Sequence, residues 1–146
     1  MIDPVIYLDT SVRVAYYVPE PLSTLAQQRL MADPAVLVSE LAQTEMVSAL
    51  ALRLRIGSLS LAAVQQVTTL FASHLTQGLY VPLHLSSAVY RQAQVYITRY
   101  DLAIKAPDAL HLAAAALEQA PLVTADRQLA HNAQALGIAV ELLEVK

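Results

Sequence analysis

Short unbroken runs of apolar residues alternate along this chain with longer stretches in which apolar positions recur every three or four residues. The runs are PVIYL (4–8), AVLVS (35–39), LYVPL (79–83), PLVTA (121–125) and IAVELL (138–143). Apolar strands without a polar face, set between amphipathic helices, are the pattern of a parallel sheet covered on both sides. The stretches 21 or 22 to 32, 40–55, 61–77, 88–100, 107–119 and 127–136 read as the helices. Ser39, Ser60 and Ser87 are placed to cap helix N-termini, and Pro107 suits a first helical position. Gly57, Gly78 and Gly137 are placed to end helices. No internal repeat, low-complexity tract or linker interrupts the pattern, so residues 1–146 are expected to form a single α/β domain.

Composition narrows the classes. With 56% hydrophobic residues and only three glycines, the chain reads as a compact, helix-rich globule rather than a disordered one. The absence of cysteine excludes disulfides, thiolate zinc sites and cysteine nucleophiles, and it accords with a cytoplasmic location. The opening MIDPVIYLDTS has no basic segment, and Asp3, Pro4 and Asp9 interrupt its apolar run, so no signal peptide is expected. No membrane span is expected either. The closest candidate, Ile56 to Tyr90, lacks Asp, Glu, Lys and Arg but carries Gln65, Gln66, Thr68, Thr69, Ser73 and His74 in its middle. A net charge of −3 argues against a protein that coats nucleic acid through a broad basic surface. It leaves room for an enzyme that grips a few phosphates around a metal.

Candidate chemistry lies in the acids. In an open parallel sheet, ligands bind beyond the carboxyl ends of the strands, where strand order reverses. Asp9 follows VIYL directly, Asp126 follows LVTA, and Asp108 opens the helix PDALHLAAAAL. The fourth acid, Glu45, lies within SELAQTEMVSAL, where Leu41, Ala42, Ser48 and Ala49 share its helix face. A carboxylate on such a face needs a cation or a donor. Each acid also has a plainer reading: Asp9 and Asp126 as caps or turn residues, Asp108 as a first-turn partner of the helix dipole, and Glu45 as a solvent-facing residue. Four carboxylates converging without counterions would repel, and a hard divalent cation that takes oxygen ligands would relieve them.

These stretches, VIYLDTS, SELAQTEMVSAL, PDALHLAAAAL and VTADRQLAHNAQALGI, resemble in order and across nearly the whole chain the PIN-domain ribonucleases. The resemblance is specifically to the VapC-type toxins of bacterial type II toxin–antitoxin systems. It implies a three-layer α/β/α sandwich with a central five-stranded parallel sheet, and an endoribonuclease dependent on Mg²⁺ or Mn²⁺. Position by position, the family's four acids fall on Asp9, Glu45, Asp108 and Asp126, as catalytic and metal-binding residues. Thr10, Ser11 and Thr124 are then hydroxyls placed to orient ligands, or caps. A leucine, Leu129, stands where the family often has an aromatic residue after its last motif.

Arg13, Lys105 and Arg127 lie close in sequence to the acids and are candidates for phosphate binding. His111 shares a helix face with Asp108 and is expected to be a packed, hydrogen-bonded histidine rather than a ligand. The uncharged helix LAAVQQVTTLFASHL, with the helix before it, is expected to offer a protein-binding groove. The resemblance implies a cognate antitoxin and a homodimer as occupants, beside the RNA substrate.

Other chemistries on an α/β sheet fail on residues. A haloacid-dehalogenase-type phosphatase needs an Asp where Ser11 stands, and a receiver domain needs an acceptor Asp at the end of YVPLHLSS. A noncatalytic PIN-like binding module, or a nuclease of RNA processing, remains the alternative. All four acids being present favours the metal-dependent endoribonuclease toxin, which the resemblance implies cuts RNA phosphodiesters to leave a 5′-phosphate and a 3′-hydroxyl.

Overall fold

The computed structural model describes residues 5–32 and 35–146. Five strands and seven helices alternate along it. They are β1 (Val5–Leu8), α1 (Thr10–Tyr17), α2 (Ser23–Ala32), β2 (Ala35–Ser39), α3 (Glu40–Arg55), α4 (Leu61–Thr76), β3 (Val81–Leu83), α5 (Ser87–Ile97), α6 (Ala106–Leu117), β4 (Leu122–Thr124), α7 (Arg127–Ala135) and β5 (Val140–Leu142). All pairings are parallel, in the order β3-β2-β1-β4-β5. The chain therefore winds outward from β1 through β2 to β3, then crosses back to lay β4 on the other side of β1. The switch point lies between β1 and β4, where Tyr7 is level with Leu122 and Leu8 with Val123.

The two-residue period of the strands divides the core into two layers. Ile6, Leu8, Val36, Val38 and Val123 pack with Val12, Val14 and Ala15 of α1, with Ala42, Met46 and Leu50 of α3, and with Phe71 of α4. Tyr7, Leu37 and Leu122 face the other way, onto Val89 and Ala93 of α5, a run of alanines and Leu112 of α6, and Leu129 and Ala133 of α7. Small residues let α6 lie close against the sheet, so that Leu112 and Leu122 lose all contact with water. Each such leucine contributes about 1.5–3 kcal/mol. The arrangement is the expected three-layer α/β/α sandwich with a five-stranded parallel sheet.

Helix limits follow local chemistry. The side chains of Ser39 and Ser60 accept from the backbone N–H groups of Ala42 and Ala63, as caps do. Gly57, Gly78 and Gly137 take positive φ at the helix ends, a conformation in which a Cβ is strained. Several boundaries differ from expectation, most of all the ends of α5 at Ile97 rather than 100 and of α6 at Leu117 rather than 119. Ser86, not Ser87, holds the cap position of α5, Pro107 is the second residue of α6, and the strands are shorter than the apolar runs. Pro4 lies outside the described residues. The helix α1 was not anticipated at all. Among the described residues, no helix is long and apolar enough to cross a membrane.

Candidate active site

Asp9 occupies the cap position of α1, yet its side chain caps nothing. Its backbone N–H donates to Val123 O across the switch point (2.9 Å), which fixes the end of β1 against β4. The carboxylate is nearly buried, and its Oδ2 accepts from Ser11 Oγ at 2.7 Å and from Thr124 Oγ1 at 2.8 Å. Both hydroxyls also accept in turn. Ser11 Oγ takes the Ala125 N–H (3.1 Å) and Thr124 Oγ1 takes the Asp126 N–H (3.0 Å). The two loops that carry Asp9 and Asp126 are thereby stitched together by side chains.

Asp126 caps α7 through Oδ1, which accepts the Leu129 N–H at 3.1 Å. The cap consumes one carboxylate oxygen and fixes the group's direction. Asp108 stands in the first turn of α6, half-buried. Burial, then the charges of Asp9 and Asp126 and finally Glu45, raise its carboxyl above the ordinary value. The charges of Asp9, Asp126 and Glu45 thus reach Asp108, although these acids stand at the ends of β1 and β4 and within α3.

Glu45 projects from the second turn of α3. Burial pushes its carboxyl up, but the hydrogen bond from His111 and the charge that ring carries when protonated, then the Thr10 hydrogen bond and the cation of Arg13, outweigh that and hold it below the usual value. Thr10 Oγ1 donates to Glu45 Oε1 at 3.2 Å, and His111 Nε2 donates to the same oxygen. His111 has no exposed surface, and its Nδ1 lies 2.6 Å from the Tyr7 hydroxyl. Burial pushes the Tyr7 phenol up to about 12, so it stays protonated at neutral pH. The histidine was expected to be packed and hydrogen-bonded, and it is. Its bond to Glu45 was not foreseen, because the two residues are 66 positions apart. The signal for it was a histidine on the same helix face as Asp108.

The three expected phosphate contacts fare differently. Lys105 and Arg127 are exposed at the starts of α6 and α7, Arg127 paired with Glu144 at 3.0 Å. Arg13 is a correction. Its side chain is fully buried, with the guanidinium 5.8 Å from the ring centres of both Phe71 and Tyr80 and Nη2 donating to Leu8 O at 3.1 Å. A phosphate in solvent has no access to it. The cause is α1: once residues 10–17 are helical, Arg13 faces the core together with Val12, Val14 and Ala15.

Among the described residues, no three acid or imidazole groups stand close enough to form a ready-made cage for an ion. The donor set nevertheless fits a hard divalent cation. It consists of carboxylates, one of them raised by burial and then by its neighbours' charge, and Mg²⁺ keeps several waters and needs only one or two direct carboxylates.

Comparison with known proteins agrees with this architecture. The chain is similar to the VapC20 toxin of Mycobacterium tuberculosis, described as cleaving the sarcin–ricin loop, with a TM-score of 0.67 and 20% identity over 92% of this chain and 96% of that one. VapBC2 of Rickettsia felis, solved bound to a DNA fragment from its promoter, gives 0.69 at 15% identity over 96% and 99%. FitAcB of Neisseria gonorrhoeae gives 0.62 at 21% over 92% and 95%. No curated protein sequence matches. With the observed order of the five parallel strands, and with residues 6–135 matching the PIN domain, the chain belongs to the PIN-domain family.

Proposed function

We propose that this protein is a metal-dependent endoribonuclease, the toxin of a type II toxin–antitoxin pair, working in the cytoplasm as one PIN domain. The observation that carries the reading is a PIN fold whose switch point lies beside Asp9, with Asp108 raised first by burial and then by the charges of Asp9, Asp126 and Glu45. A group of acids held together at the cost of mutual repulsion is what a cation site looks like before the ion arrives.

Asp9, Glu45, Asp108 and Asp126 would hold Mg²⁺ or Mn²⁺, directly or through water. When bound, such an ion polarises a phosphodiester and makes hydroxide available near neutral pH. The chain's own residues do the rest. Ser11 and Thr124 fix Asp9, Thr10 and His111 fix Glu45, and the cap of α7 fixes Asp126. Exposed Lys105 and Arg127 flank the acids and would hold RNA phosphates beside the bond that breaks. The solved neighbours include toxin–antitoxin complexes, which supports an antitoxin as partner. Leu70 on the uncharged helix α4 is exposed, as are Leu54 and Ile56 at the end of α3, and these offer an apolar surface for it or for a second copy.

The test is cleavage of purified total RNA by antitoxin-free protein with Mg²⁺ or Mn²⁺, beside Asp9→Asn and an EDTA control. Discrete products ending in 5′-phosphate and 3′-hydroxyl, absent from both controls, are expected. Cleavage that survives Asp9→Asn would reject the site. Metal-loaded protein that leaves RNA intact would favour a binding module.

A further inference from the structure

The hydrogen bonds around Glu45 form a loop that starts and finishes on the same helix. The backbone N–H of Ala42, in the first turn of α3, donates to Ser39 Oγ at 3.0 Å. Ser39 Oγ lies 3.1 Å from the Tyr7 hydroxyl, which lies 2.6 Å from His111 Nδ1. His111 Nε2 then reaches Oε1 of Glu45, one helical turn beyond Ala42. Ser39 and His111 are wholly buried, and so is Tyr7. Water therefore does not complete the set, and the protons must be placed among these groups alone.

One assignment satisfies every group. Glu45, ionised, only accepts, so Nε2 of His111 carries a hydrogen. A neutral imidazole then leaves Nδ1 as an acceptor for the Tyr7 O–H. The Tyr7 oxygen takes the Ser39 O–H, and Ser39 takes the Ala42 N–H. Four donations run in one direction, from a backbone amide to a carboxylate. With hydrogens on both ring nitrogens, Tyr7 would donate to Ser39, and the Ser39 proton would have no acceptor among the described residues.

We propose that Tyr7 and His111 are positioning residues for the metal site. They hold Glu45 with Oε1 already taken by His111 and Thr10, so that Oε2, to which no described residue donates, is the oxygen offered to the cation. The proposal rests on the metal-site reading of the preceding section. Its physical content is preorganisation: a carboxylate on a three-torsion side chain is fixed in one direction by two donors, and the tautomer of the nearer donor is fixed by a tyrosine on the central strand. Hydrogen bonds of this kind behind a ligand are typically worth roughly 10–100-fold in metal affinity.

The experiment has two arms on the full chain. In the first, Mn²⁺ affinity is read from the free-ion signal in electron paramagnetic resonance, for wild type, Tyr7→Phe, His111→Leu and His111→Gln, each checked for folding by its melting curve. Tyr7→Phe should weaken binding about tenfold and His111→Leu by roughly 10–100-fold. His111→Gln, which returns an N–H donor near the position of Nε2, should restore most of what His111→Leu loses. In the second arm, ¹⁵N chemical shifts of the histidine rings are recorded without metal. His111 should show the Nε2–H tautomer in wild type, with a mixed population once Tyr7→Phe removes the donor to Nδ1. Folded Tyr7→Phe and His111→Leu variants that bind Mn²⁺ as tightly as wild type would overturn the proposal, as would an Nδ1–H tautomer. Should His111→Leu fail to fold, the milder Tyr7→Phe decides. Wild type that takes up no Mn²⁺ would overturn the metal reading and the proposal with it. That result stays distinct from a failure of the hydrogen-bond loop alone, because the nitrogen spectrum needs no ion.

Discussion

Asp108 has a carboxyl raised by burial and by the charges of Asp9 and Asp126, and the direction of that shift fixes its effect on stability. A group whose folded value lies above its unfolded one favours folding at low pH, and the benefit disappears as pH rises through the folded value. At neutral pH without metal, the charged Asp108 therefore opposes folding. Asp108→Asn should raise the metal-free melting temperature by about 2 °C, from somewhat under about 1 kcal/mol once solvent screening of a half-exposed group is allowed for. The gain should shrink as pH falls through the raised folded value and vanish below the ordinary one, about 4, and calorimetry across pH 3–8 checks both points. Arg13 is the opposite case, a buried cation with Nε and Nη1 unpartnered among the described residues. Arg13→Met keeps the volume and removes the desolvated charge, so it should cost about 1 kcal/mol or less in denaturant unfolding. Arg13→Ala should cost about 3 kcal/mol or more by leaving a cavity. Asp9, Asp108 and Asp126 could be singled out because strand ends and helix starts can be read from hydrophobic patterning, and Glu45 because it shares a small, largely apolar helix face. Arg13 was not, because four residues from Asp9 is also the spacing of a surface neighbour, and only a helix at 10–17 turns it inward.

That helix marks the boundary of what patterning reveals about the elements. TSVRVAYY holds Thr10, Val12, Val14, Tyr16 and Tyr17, all of low helix propensity, in eight residues. Tertiary packing against β4 and α3 decides it instead. The longer helices, and the glycines that end them, follow from sequence because their signals repeat over several turns. The two capping serines separate local from tertiary effects. Ser60 caps α4 on the surface (3.1 Å to Ala63 N), whereas buried Ser39 both caps α3 and meets Tyr7. Ser60→Ala should cost about 0.5–1 kcal/mol. Ser39→Ala should cost about 2 kcal/mol, because it also strips a partner from a buried phenol. Urea titrations of the two variants side by side test the difference.

Across the whole molecule, the sheet order and layers follow from strands that are apolar on both faces, and the surfaces do not. The uncharged stretch 56–90 was expected to present α4 as a binding face, and the structure divides it. Val67 packs partly against the core, while Leu70 is about half exposed. Leu70→Glu is therefore the informative substitution. It should leave the melting temperature within about 1–2 °C of wild type while weakening antitoxin binding or self-association at least tenfold, measured by titration calorimetry and sedimentation. Unchanged association in both assays would place the partner elsewhere.

The winding of the sheet also divides the acids between two halves of the chain. Residues up to β3 supply β1, β2 and β3 with α1 to α4, and they carry Asp9 and Glu45. Residues from α5 onward supply β4 and β5 with α5 to α7, and they carry Asp108 and Asp126. The link between the halves runs through His84 and Ser86, both exposed. A polypeptide cut there yields two fragments, neither with more than half of the carboxylates. Under the proposed nuclease function, activity of such a split pair would report reassembly with no background from either fragment.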